Sequence, residues 1–79
     1  MLKLNESQRV RLIKVLKDFK VTRDNSLHSV IDDVMSYIER GEINDNYCAR
    51  YVRDALFYNE ETKESHQDLV DVIENKFFA

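Results

Sequence analysis

A single glycine and no proline among 79 residues restrict this chain more than any motif it carries. Sheet-rich proteins reverse direction at short intervals and need glycine, proline and other turn residues to do so. A chain almost without glycine and proline suits straight helices joined by polar caps. Its many Asn, Lys, Ile and Tyr residues also suit an AT-rich bacterial or phage genome.

Hydrophobic spacing carries the helical reading further. Asn5 can accept from freed amides at the start of a first helix, with Gln8 placed to reciprocate. Leu12, Val15, Leu16 and Phe19 share one face of it, Ile13 lies at the edge, and the helix should end near Val21. Asp24, Asn25 or Ser26 then caps a second helix. Its core face is Leu27, Val30, Ile31, Val34, Met35 and Ile38, at i, i+3, i+4 spacing. Ser29, Asp32, Asp33, Ser36, Glu39 and Arg40 take the opposite side, and Gly41 supplies a left-handed stop. Asn44 is the expected cap of a third helix through Tyr58, with Tyr47, Cys48, Tyr51, Val52, Ala55 and Leu56 inward. A last helix presents Leu69, Val70, Ile73 and Phe77.

Between those two lies the polar stretch NEETKES. At about 100° per residue their apolar arcs stay in phase, so one continuous helix from Asn44 to Phe77 is geometrically open. The core-facing positions in the gap, Asn59, Thr62, Lys63 and His66, are all polar and favour a break between Asn59 and Ser65. The expected fold is all-α, a small compact bundle of four short amphipathic helices forming one domain over residues 1–79. The alternative is three helices, with the last two fused. Neighbouring helices with short connections should run roughly antiparallel, their apolar stripes covering one another.

A chain of this size buries only about 60% of its unfolded surface, so its stability should be marginal unless oligomerisation or a complex adds burial. Cys48 is the only cysteine, which excludes an internal disulfide and suits a reducing compartment. MLKLNESQRVR lacks the apolar core of a signal peptide, and no long apolar run follows, so a cytoplasmic location is expected.

Charge is segregated. Residues 1–23 hold seven Lys/Arg against Glu6 and Asp18, a balance of +5, whereas residues 24–79 stand at −8. RVRLIKVLKDFK, residues 9–20, concentrates five of those cations. Arg11, Lys14 and Lys17 point away from the first helix's apolar face, and Glu60, Glu64, Asp68 and Asp71 line one outer face if the last helix begins early enough. Such a layout can be mere solvation. It can also bring basic and acidic faces together, between helices or between copies in a dimer. It can, finally, offer the basic face to nucleic acid, although thirteen acids in the remainder oppose phosphate approach. Imitation of a phosphate backbone by the acidic stripe is weakly supported, because only four carboxylates align and Lys63 interrupts them.

Chemistry-bearing motifs are sparse. In YIERGEINDNY a helix-turn-helix reading places Glu42 and Asp45 where phosphates would lie, with Arg50 and Arg53 the only basic residues on the second helix. Metal binding would need His28, Cys48 and His66 to converge, and none stands in CxxC, HxxxH or HExxH spacing. Structural or solvated roles are expected for both histidines, and neither metal nor cofactor. There is no glycine-rich phosphate loop and no nucleophile elbow. Asp32 and Asp33 diverge by about 100° on a helix and make a poor acid–base pair.

The third helix is more informative. Tyr47, Tyr51 and Tyr58 follow one edge of its apolar face, and Arg50, Arg53 and Phe57 lie away from the core. Edge tyrosines with hydroxyls in water are common. Phe57, like Phe78 and Val10, is an apolar side chain out of phase with its own core, beside arginines that favour interface hot spots. The sequence therefore points to a non-enzymatic protein that binds another protein as a regulator, inhibitor or adaptor, and that can dimerise. Its contact residues are expected to be Arg50, Tyr51, Arg53, Phe57 and Tyr58. The alternative is a nucleic-acid-binding regulator using Arg11, Lys14 and Lys17.

Overall fold

The computed structural model describes residues 1–79. Its helices are α1 (Glu6–Lys20), α2 (Asn25–Glu39), α3 (Asn46–Leu56), α4 (Glu60–Ser65) and α5 (Gln67–Ile73), the last running into a π-helical turn at Glu74–Phe78. The protein is an all-α bundle. Four of its five helices correspond to those expected, and α4 forms inside the polar stretch read as a break.

Local chemistry sets most boundaries. The Asn5 side chain accepts from the Gln8 amide at 2.8 Å while the Gln8 side chain accepts from the Asn5 amide at 2.9 Å, a complete capping box for α1. α1 ends at Val21, as expected. α2 starts after Asp24, which makes no side-chain capping bond, and ends before Gly41 at φ +89°, a backbone angle that side chains with a Cβ resist. The cap of α3 is Asp45, whose carboxylate accepts from the Cys48 amide at 2.9 Å; Asn44, the expected cap, instead donates to Glu42.

The fused-helix alternative does not form. α3 stops at Phe57, and Asn59 in extended backbone accepts from the Thr62 amide at 2.7 Å to start α4. A second interruption falls at His66, with φ −123° and ψ 29°. α4 buries no residue, so it has no apolar stripe by which it could have been read. The same interruptions divide the expected acidic stripe, leaving Glu60 and Glu64 on α4 and Asp68 and Asp71 on α5.

One feature was unforeseen. Leu2–Lys3 (β1) pairs antiparallel with Glu42–Ile43 (β2), setting Leu2 opposite Ile43, and the Leu4 amide donates to the Gly41 carbonyl at 2.8 Å. This bridge ties the chain ahead of α1 to the α2–α3 connection and buries Ile43 completely.

The core is wholly apolar. Leu12, Val15, Leu16 and Phe19 of α1 meet Ile31, Val34 and Ile38 of α2, then Cys48, Ala49, Val52, Ala55 and Leu56 of α3, with Leu69, Val70 and Ile73 closing the last side. One expectation for the inward face of α3 needs correction, since Tyr47 is 60% exposed; Ala49, outside the expected face, is fully buried. Ala49 and Ala55 are both buried on α3, whereas Tyr47 in its first turn stays outside and packs against Tyr51. No buried side-chain nitrogen or oxygen lacks a partner.

Candidate functional site

The residues expected to form a contact face divide among three places. Arg53 and Phe57 come together. The Arg53 guanidinium carbon lies 5.2 Å from the Phe57 ring centre and 4.8 Å from that of Phe78, while its Nε donates to Glu74 at 3.0 Å. The Lys63 ammonium lies 4.7 Å from the Phe57 ring. Phe57 is thus contacted by cations from α3 and α4, and the π-helical turn supplies Phe78 and the fixing carboxylate. Phe57 nevertheless remains 37% exposed. Each such cation–ring contact at a wet surface contributes about 0.5–1 kcal/mol.

Arg50 precedes Arg53 by one turn on the same edge of α3, is exposed, and makes no hydrogen bond or ion pair. Arg50, Arg53 and Phe57, at i, i+3 and i+7, therefore form one row in which Arg53 is tied to Glu74, Phe57 is contacted by two cations yet stays partly exposed, and Arg50 is unpaired. Tyr51 belongs elsewhere: it is half-buried and packs edge-on against Tyr47, with ring centres 5.3 Å apart. Tyr58 goes to a third cluster, edge-on to Phe19 at 5.8 Å, with the Arg23 guanidinium over both rings at 5.1 and 5.4 Å. Phe57 and Tyr58 are adjacent in sequence yet join different groups, Phe57 as the C-cap of α3 and Tyr58 in the turn beyond it.

The basic trio on α1 is likewise unequal. Arg11 donates through both terminal nitrogens to the two Asp68 carboxylate oxygens, each at 2.8 Å. That bidentate bond holds the Asp68 carboxyl down at about 2 and pushes Arg11 further up. Lys14 has only a 3.4 Å contact with Asp18 one turn on, and Lys17 has no ion pair. Basic and acidic helices thus meet within one molecule, through Arg11–Asp68 and through Lys20–Asp32 at 2.7 Å.

His28, Cys48 and His66 do not converge, and no group of three His, Cys, Asp or Glu side chains is placed to hold a metal ion. His28 contacts the Arg23 carbonyl and His66 the Thr62 carbonyl, each through a single ring nitrogen. Cys48 is 3% exposed, and burial, with Asp45 nearby, pushes its thiol up to about 11. No helix is long and apolar enough to cross a membrane.

Sequence reasoning missed Glu74, Lys63 and Phe78 as parts of the Phe57 cluster. Phe78 is out of phase with its own core in the sequence, but its meeting with Arg53 depends on the π-helical turn that follows Ile73. The chain matches no protein-family model, no curated protein and no solved structure.

Proposed function

We propose that the protein is a non-enzymatic binding module of the cytoplasm that acts on another protein as a regulator, inhibitor or adaptor, with the Arg50–Arg53–Phe57 edge of α3 as its contact face. The observation that carries this reading is Phe57 itself. An aromatic ring outside the core keeps 37% exposure while its surroundings are ordered by Arg53, Lys63, Glu74 and Phe78. Aromatic and arginine side chains already held in one geometry lose little freedom on association, which favours them as anchors. The nucleic-acid alternative keeps Lys14 and Lys17 but has lost Arg11 to Asp68.

Arg53 braces its own fold, so the appropriate test alters the open members of the row. Phe57→Ala with Arg50→Ala should remain folded by circular dichroism and lose a partner that wild-type protein retains when cross-linked in the cells expressing it. Equal recovery of that partner by the double variant would refute the assignment. Titration with duplex DNA at two salt concentrations separates the alternative, since phosphate contacts weaken steeply as salt rises.

A further inference from the structure

We infer that the outer side of α1 is a second docking face, built for an acidic amphipathic helix of another protein. Arg50, Arg53 and Phe57 do not line this region, so the inference goes beyond the α3 face. Val10 is 63% exposed and forms a ridge between two concavities. One, of about 430 Å³, runs between α1 and the α3–α4 junction, with Phe19 and Tyr58 among its walls. The other is more open, about 650 Å³, and lies along Ile13. An apolar ridge flanked by two hollows on a 15-residue helix, ~22 Å long, matches the side-chain spacing of a partner helix of similar length.

Charge selects the partner. Of the five cations on α1, Arg11 and Lys20 are bound to carboxylates of other helices. The remaining three, Arg9, Lys14 and Lys17, all border the open hollow beside Val10 and Ile13, together with the carboxylates Asp18 and Glu39. Arg9 is aimed there by donating to the Glu39 carbonyl at 2.9 Å, a bond that fixes the side chain without cancelling its charge. The Lys14–Asp18 contact joins two side chains each over 70% exposed, a setting in which such pairs are weak. Around the hollow beside Val10 the cations left over by the fold outnumber the carboxylates three to two, and carboxylates flanking an apolar stripe are their complement. A second copy docking by two-fold symmetry would set α1 against α1, like charge on like. A DNA duplex would leave Val10 and Ile13 without an apolar counterpart and face the acidic remainder of the chain.

The test selects random peptides of about four helical turns, displayed on yeast, for binding to the folded full-length protein. Enriched peptides should be acidic with apolar residues at i, i+3, i+4. A synthetic representative should lose affinity about tenfold against Val10→Asp and against Lys17→Glu, and should bind Phe57→Ala as it binds wild type. Val10 is exposed, so Val10→Asp should keep the wild-type circular dichroism spectrum. Enrichment of basic or unpatterned peptides, no enrichment, or undiminished binding by Val10→Asp would overturn the inference. So would dimerisation abolished by Val10→Asp, or duplex DNA bound through Lys17 with indifference to Val10.

Discussion

Arg11 and Asp68 stand 57 positions apart and meet in a two-pronged hydrogen bond, both prongs 2.8 Å, that fastens α1 to α5. The Asp68 carboxyl is held at about 2 against an ordinary 3.8, chiefly by the Arg11 hydrogen bond. A depressed carboxyl means that the unfolded chain takes up this proton first as pH falls. The contribution to stability is therefore complete above the ordinary value and disappears as pH drops through about 2. Asp68 is 63% exposed, so solvent screening keeps the contribution below about 1 kcal/mol. Urea melts of wild type and Asp68→Asn should differ by that amount at neutral pH and converge under strong acid; a gap independent of pH would disprove the linkage.

Ile43→Ala should cost about 2–5 kcal/mol, the range for truncating a buried aliphatic side chain. Ile43 is fully buried although it lies in a two-residue strand rather than a helix. Chemical denaturation measures the cost directly, and a loss under about 1 kcal/mol would show that the β1–β2 bridge adds little to the core.

Cys48 should resist thiol reagents in the native state, being nearly fully covered with its thiol pushed up to about 11. Labelling then requires opening of the fold, and its rate should follow global stability. Leu16→Ala, which hollows the core beneath α1, should accelerate labelling by about tenfold or more. Rapid labelling of wild type without denaturant would contradict the burial.

Arg53→Ala and Arg50→Ala should separate cleanly. The first removes two ring contacts and a hydrogen bond to Glu74 and should cost about 1–2 kcal/mol. The second removes a side chain that makes no hydrogen bond, ion pair or ring contact and should stay within about 0.5 kcal/mol. Thermal melts of the two variants compare them; equal losses would mean that Arg53 is not a brace.

Much of this architecture was legible because its signals are local. The Asn5–Gln8 cap, the α2 stripe and the Gly41 stop each need only a few neighbouring residues. What escaped depends on distant partners or small shifts. Ile43 is buried because Leu2 pairs with it, and nothing within a turn of Ile43 announces that. Moving the α3 cap from Asn44 to Asp45 follows from β2, which keeps Asn44 beside Glu42. On the inward face of α3 the small Ala49 is buried and the larger Tyr47 is not, an outcome that hydrophobic spacing alone does not specify. In the candidate site, Arg53 and Phe57 were readable as neighbours on one helix edge, but Glu74 and Phe78 reach them only through the π-helical turn. Tyr58 meets Phe19 from the turn past the end of α3 at Leu56, where helical periodicity no longer applies.

Gly41 is the one residue whose backbone lies at positive φ. Everywhere else the main chain runs through conformations open to all side chains, so the blueprint resides almost entirely in where greasy and water-loving groups fall. Any residue carrying a Cβ would be strained at that one position, so the link from α2 to β2 is where the main chain itself dictates a letter of the sequence.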